Sequence, residues 1–330
     1  MSGRTLVTGG LGFIGSAFIR ALAADGVAVL NVDADTYAGD ERRLAGAEPG
    51  LVETLRLDVA APELAEAIAA ERPARIVHFA AETHVTRSEG AEEAFFRTNV
   101  DGTRNLLDAA VAAGAGRVVH ISTDEVYGPC PGDPFREEEK LPGEGRATSA
   151  YARSKAVADD LARSYADRLD VVVARPTNCI GPWQHPEKAV PRWATRALRG
   201  ERLPVWGDGM QVRDWMYVED AVAGLRVLIE RGERGAVYNL GPAAAAVPNV
   251  EIARMVAAAA GAGAESVYLS AYDRPQHDRR YAVSVERIGA LGWRAAHGLE
   301  DAVRETVAWY RDNPGWWQTL VPDAEGLYAD

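Results

Sequence analysis

Residues 117–128 read RVVHISTDEVYG, an apolar run that ends in Ser122, Thr123, Asp124 and Glu125. Two adjacent carboxylates repel one another, and one hydroxylated residue suffices to make a turn. Such a pair suits acid–base work, because proximity raises one pKa and keeps that group protonated beside an ionised neighbour. Further on, SAYARSKA sets Tyr151 and Lys155 four residues apart, so on a helix both side chains share one face. A lysine ammonium beside a phenol is expected to lower the tyrosine pKa and favour proton exchange with a substrate hydroxyl. Thr123 can hydrogen-bond the same hydroxyl. Taken singly, each signal is weak: Tyr-x-x-x-Lys is a common accident on exposed helices, and paired acids usually mark a solvated turn. Their weight depends on what the rest of the chain places beside them.

The first such context is TGGLGFIGSAF, with Gly9, Gly12 and Gly15 at three-residue spacing between a predicted strand and a predicted helix. Glycines there permit a tight turn and close approach to a pyrophosphate, which the free N–H groups of the helix N-terminus then bind. Asp33 ends the next strand, where a carboxylate accepts bonds from both ribose hydroxyls and repels a 2′-phosphate. That combination points to NAD rather than NADP as cofactor. Asp58 and Val59, after the third strand, are expected near the adenine, and Lys155 near the nicotinamide ribose.

These residues need a scaffold, and the hydrophobic pattern supplies one. Strands are predicted at 4–9, 27–33, 51–59, 74–80, 116–122 and 169–176, rich in Val, Ile and Leu on both faces. Helix-like segments fall between them at 13–24, 62–71, 91–113 and 149–168. That alternation predicts an α/β fold of Rossmann type, a doubly wound parallel sheet with ligands at the carboxyl ends of its strands. Residues 1–177 read as the NAD-binding domain, with 213–241 returning to it as a helix and a strand. Residues 178–330 read as a smaller mixed α/β substrate domain, entered by a Pro- and Trp-rich stretch, 175–193, that reads as a loop crossing a cleft.

Composition narrows the class. At 330 residues, 47% hydrophobic and 25% charged, the chain has the profile of a soluble globular protein. Its net charge of −12 argues against a nucleic-acid partner. No apolar run approaches the roughly 20 residues of a membrane span, and no leader pattern opens the sequence. Cys130 and Cys179 are expected as free thiols in the cytoplasm, and no Cys/His spacing suggests a metal.

Motifs along nearly the whole chain resemble the dTDP-glucose 4,6-dehydratases of the extended short-chain dehydrogenase/reductase family. They include VTGGLGFIGS, DTYAGD, HFAAETHVTRS, TNVDGT, ISTDEVYG, SAYARSKA, GPWQHPEKAVP, WGDGMQVRDWMYVED and RPQHDRRYAV. The Asp-Glu pair after Thr123 is the specific signal. The resemblance implies oxidation at C4 of a nucleotide-activated hexose, with NAD⁺ as hydride acceptor and Tyr151 as proton acceptor. Glu125 as base and Asp124 as acid then expel water across C5 and C6, and hydride returns to C6. It also implies that Phe13, Ile14, Ala80, Ala81 and Thr98 complete the cofactor contacts. Thr83 and His84 would border the sugar, Asn178 would contact a phosphate, and Lys188 would line the nucleotide cleft. Arg213, Asn249, Arg274 and His277 would surround the diphosphate and nucleoside. The implied assembly is a homodimer, with the helices at 91–113 and 149–168 packing into a four-helix bundle.

The sequence departs from the family pattern at Thr86, Cys179, Ile180 and Ala34, and in the run PAAAA after Gly241. Those departures leave nucleobase and sugar preference open among dTDP-, UDP-, CDP- and GDP-sugars. A nucleotide-sugar 4-epimerase would use the same Tyr151 and Lys155 without elimination. A non-catalytic NAD-sensing protein would keep the fold but not need both residue sets.

Overall fold

The computed structural model describes residues 4–84, 91–139, 149–242, 247–272 and 277–328. Its centre is a seven-stranded sheet of β1 (Thr5–Thr8), β2 (Val29–Asp33), β3 (Val52–Arg56), β4 (Arg75–His78), β5 (Arg117–Ile121), β6 (Val171–Pro176) and β11 (Val237–Leu240). The order is β11-β6-β5-β4-β1-β2-β3, and every pairing is parallel. The order reverses between β1 and β4, which opens a crevice at the carboxyl edge of the sheet. β1, β2 and β6 are buried at every position, as a sheet covered on both faces requires.

One face packs against helices Phe13–Ala24 and Val218–Arg231, with Phe18, Leu22, Leu225 and Leu228 in a common apolar cluster. The other packs under Leu64–Glu71, Gly102–Ala113 and Ala150–Ser164, through Leu64, Ile68, Leu106, Leu107 and Ala162. A second core, separate from the sheet, joins helices Ala189–Leu198, Asn249–Ala260 and Leu299–Asp312 around Trp193, Ile252, Val256, Val307 and Tyr310. Short strand pairs finish this smaller part: β7 (Asn178–Ile180) with β10 (Trp215–Tyr217), β8 (Leu203–Trp206) with β13 (Val267–Ser270), and β9 (Val212–Arg213) with β12 (Val247–Pro248).

The doubly wound class is as expected, and three local readings change. The stretch 175–193 is not one loop: Asn178–Ile180 is a strand, and Ala189–Leu198 is a helix that accepts Pro191 in its first turn. The helix read at 91–113 is broken by a π turn at Arg97–Asp101, which puts Thr98 beside the crevice. Within 213–241, the helix and β11 join the main sheet, whereas β9 and β10 pair with the smaller part. No described helix is long and apolar enough to cross a membrane.

Candidate active site

The glycine loop follows β1 directly. Gly9 has φ +73°, and a Cβ there would meet the backbone nitrogen of Ala80 at 2.6 Å, so only glycine lets β1 and β4 run into this turn together. A Cβ on Gly15 would lie 2.3 Å from the Gly9 carbonyl oxygen. Gly12 caps the Phe13–Ala24 helix without a side-chain bond, and the first helical N–H to find an acceptor is that of Ser16. The N–H groups of Phe13, Ile14 and Gly15 therefore open onto the crevice with the positive end of the helix behind them. Asp33 is held ready at the end of β2: its Oδ2 accepts from the Leu11 N–H at 2.8 Å and its Oδ1 from the Asp35 N–H at 2.8 Å. Burial nevertheless raises its pKa. A bare backbone cradle for an anion, beside a fixed carboxylate, fits a dinucleotide with an unmodified ribose.

A cavity of about 540 Å³ runs from this loop along the sheet edge. Gly9, Gly12, Phe13, Ile14, Gly15, Asp33, Asp58, Val59, Ala80, Ala81 and Thr98 all line it, with Thr123, Asp124, Glu125, Tyr151 and Lys155 at its far end. A second cavity adjoins it, lined by His84, Arg213, Asn249 and His277. Thr83, Glu125, Asn178 and Lys188 face both cavities, so Glu125 stands where the two spaces meet. Arg274 and Thr86 lie outside the described residues.

The acid pair lies just beyond β5, in a single 3₁₀ turn, Asp124–Tyr127. The Thr123 hydroxyl caps that turn, accepting from the Glu125 N–H at 3.3 Å and donating to Asp124 Oδ1 at 3.2 Å. Asp124 is 2% exposed, and its Oδ2 has no hydrogen-bond partner. Burial first, then the charges of Glu125 and Asp214, push its pKa up to about 8. Asp124 is thus a neutral acid at pH 7. The expected cause, the adjacent charge, is real but second to desolvation.

Tyr151 and Lys155 lie on helix Ala150–Ser164, whose start is capped by Ser149 Oγ accepting from the Ala152 N–H at 3.0 Å. A buried ion pair clamps this helix to β6: Arg175 Nε and Nη2 donate to the two Asp159 oxygens at 2.8 and 2.7 Å. Arg175 also donates to the Tyr127 hydroxyl at 2.6 Å, tying the helix to the turn that carries Asp124 and Glu125. The expectation that Lys155 lowers the Tyr151 pKa is not met. Burial and the nearby carboxylate of Glu125 raise it, opposed by its hydrogen bond with Thr123. The Lys155 ammonium donates instead to the Ile121 carbonyl at 2.5 Å, and burial lowers its own pKa to about 8.

Several lining residues are not among the expected site residues: Arg43 and Gln184 in the first cavity, Glu187 in both, and Trp206, Tyr281, Arg192 and Tyr328 in the second. Arg43, Arg192 and Tyr328 carry no local motif, whereas the others lie inside motifs quoted above. Tyr328 packs against Trp206 with ring centroids 5.2 Å apart, and the Arg192 guanidinium lies 4.1 Å from the Tyr328 centroid. Cys130 and Cys179 are both free and buried; burial raises the Cys179 thiol to about 12, which keeps it unreactive. Among the described residues, no group of His, Cys, Asp and Glu is placed to hold a metal ion.

A nucleotide-cradling loop, an acid at the end of β2 and a Tyr-Lys helix facing a second cavity define a dinucleotide-dependent enzyme of the short-chain dehydrogenase/reductase class. Comparison with known proteins gives the family. Residues 5–241 match the NAD dependent epimerase/dehydratase family, and the chain belongs to it. It is 42% identical over 331 residues to a dTDP-glucose 4,6-dehydratase of Streptomyces griseus, covering 98% of each chain. A crystal structure of the dTDP-glucose 4,6-dehydratase of Streptomyces venezuelae, with NAD bound, matches at TM-score 0.90 and 40% identity, covering 96% of this chain and 99% of that one. A UDP-glucose 4-epimerase of Thermus thermophilus, also with NAD, matches at TM-score 0.84 and 31% identity, over 94% of this chain and 99% of that one. The resemblance to the dehydratases seen in the motifs holds along the whole chain, and NAD is the cofactor.

Proposed function

We propose that the protein removes water from a nucleotide-activated hexose, with dTDP-glucose as substrate, to give the 4-keto-6-deoxy sugar. The observation that carries this reading is Asp124, buried so that its pKa is raised to about 8, beside Glu125 in the cavity that also holds Tyr151 and Lys155. Exchange of configuration at C4 needs one proton acceptor and no such pair.

The glycine-loop N–H groups and Asp33 would hold NAD, with Thr98, Ala80 and Ala81 flanking it. Bound NAD⁺ supplies a hydride acceptor for C4 and, once reduced, a hydride donor for C6. Tyr151, acting as the phenolate, takes the C4 hydroxyl proton while hydrogen-bonded to Thr123, and Lys155 holds the nicotinamide ribose. The C4 ketone acidifies C5–H, and Glu125, at the meeting of the two cavities, removes that proton. Asp124 donates its proton to the C6 oxygen, which leaves as water. Glu125, its proton exchanged with solvent, protonates C5 as hydride arrives at C6, and the proton taken by Tyr151 replaces, through solvent, the one Asp124 gave up, so atoms and electrons balance with no net oxidation. Arg213 and Lys188 supply the local positive charge that a diphosphate demands of an acidic protein, with Asn178, Asn249 and His277 around it.

Incubating the purified protein with dTDP-glucose in deuterated water tests this. The expected product is a 4-keto-6-deoxy sugar labelled at C5; a C4 epimer without label at C5 would instead assign a 4-epimerase. A panel of dTDP-, UDP-, CDP- and GDP-glucose ranks the nucleobases.

We further infer a cytoplasmic homodimer in which helices Gly102–Ala113 and Ala150–Ser164 of two chains pack together. Val157, 44% exposed on the second of these helices, is the apolar residue such an interface would cover. Light scattering on the wild type and on Val157→Asp reads this out: a dimer for the first, a monomer for the second.

A further inference from the structure

Arg43 is among the largest fully buried side chains, at 1% exposure, yet no described carboxylate lies within ion-pair distance of it. It sits in the 3₁₀ turn Glu41–Leu44, after the loop that follows Asp33. Backbone carbonyls take up part of its donor set. Nη1 donates to the Leu11 carbonyl at 2.7 Å and to that of Ala38, and Nε donates to the Trp183 carbonyl at 2.9 Å. Nη2 donates to no described residue. Its plane lies over Trp316, 5.4 Å from the ring centroid, and Trp316 is itself fixed by Nε1–H donating to Asp40 at 2.7 Å. The guanidinium is therefore rigidly aimed but only partly used.

A buried cation that lacks a hydrogen-bonded anion is costly, and burial depresses the Arg43 pKa to about 10. Three carbonyl dipoles and the nearby charges of Asp40 and Asp33 offset part of that cost, and none of them bonds to Nη2. Arg43 lines the larger cavity next to Gly12, Phe13, Thr36 and Gly39, the stretch where the open helix N-terminus already selects an anion. We propose that Arg43 is a cofactor-binding residue, its free Nη2 N–H groups completing the cradle for the dinucleotide pyrophosphate. Because the same guanidinium grips Leu11, Ala38 and Trp183, a bound pyrophosphate also locks the glycine loop to the segment that leads into the smaller part of the molecule. The 2′-phosphate of NADP is the other anionic candidate, and the buried carboxylate of Asp33 disfavours it.

The inference rests on NAD as cofactor and not on the sugar chemistry. Its test compares ligands with and without the pyrophosphate. Wild type, Arg43→Met and Arg43→Lys are assayed for NAD retained through gel filtration and for affinity towards ADP-ribose and adenosine. The expected result is that Arg43→Met loses its NAD and weakens ADP-ribose about tenfold more than adenosine. Arg43→Lys, which keeps the charge, recovers part of the difference. Equal penalties for ADP-ribose and adenosine would show that Arg43 is only a backbone staple and overturn the proposal. If Arg43→Met does not fold, the Lys variant carries the same comparison, with a pyrophosphate-specific loss of smaller size expected. A wild type that holds NAD through Arg43 yet makes no keto-sugar would sink the dehydration reading alone.

Discussion

The two cavities of the site are built by opposite means. The cofactor side is mostly backbone: N–H groups of one turn, a helix end and a strand-end carboxylate, drawn largely from residues 9–15 and 33–59. The second cavity, which we propose takes the substrate, is mostly side chains, with Thr83, Asn178, Lys188, Arg213, Asn249 and His277 brought together from separated stretches of the chain. Backbone sites tolerate little change in covalent geometry, because a single Cβ collides with fixed atoms. Side-chain sites tolerate substitution at the level of folding and register it in affinity and specificity. Asp124 and Glu125 sit at the boundary, one buried and the other facing both cavities.

The contrast can be tested at four points, in falling order of effect. Glu125→Gln removes the base while leaving both cavities intact. Turnover should fall by about 10²- to 10⁴-fold, with bound NAD unchanged and deuterium incorporation at C5 lost; full product from this variant would reassign the base. Arg213 is held by donation to the Val212 and Asp278 carbonyls, both at 2.8 Å, and stacks on Tyr281. Arg213→Ala should raise KM for the nucleotide sugar by roughly 10- to 100-fold, the worth of one or two charge-assisted bonds. NAD content and melting temperature should move little, as expected of a side-chain site.

Gly9→Ala probes the other half. Its positive φ and the 2.6 Å approach to Ala80 predict a loss of about 1–3 kcal/mol in stability, with NAD retention falling alongside it. An alanine variant as stable and as NAD-loaded as wild type would erase the distinction drawn here. The pH profile comes last. Asp124 donates only while protonated, so its pKa of about 8 predicts an alkaline limb, with the elimination step falling about fivefold between pH 8 and 9 and about tenfold per pH unit beyond. The sign for stability follows. The folded chain keeps a proton that the unfolded chain releases above the ordinary aspartate range of about 4, so this group's contribution to stability declines as pH rises from there through about 8. Asp124→Asn should flatten that decline in thermal melts while abolishing water loss.

Much of this is legible in the chain itself. The periods of the hydrophobic runs placed six parallel strands and the helices between them: β1, β2 and β6, buried throughout, show no polar face, whereas the edge strand β3 is partly exposed and carries Glu53, Thr54 and Arg56. The glycine spacing, the acid at the end of β2 and the Tyr-Lys interval are local, so their geometry follows from short-range sterics. The residues that the resemblance adds, Thr83, His84, Asn178, Lys188, Arg213, Asn249 and His277, line the second cavity. Other features lay beyond any local pattern. Pro191 inside a helix start and the π turn at Arg97–Asp101 depend on what packs against them.

What the residues alone determined is the strand and helix pattern of the doubly wound sheet, the dinucleotide loop and the adjacency of Asp124 and Glu125, since each is written in neighbours within a few positions. What only the tertiary structure decided is where charge rests. Desolvation more than the adjacent carboxylate protonates Asp124, Lys155 turns to the Ile121 carbonyl instead of drawing down Tyr151, and Arg43 is left with an open donor pair beside the anion cradle. Burial and long-range fields come from atoms distant in the chain, and no spacing of residue types encodes them.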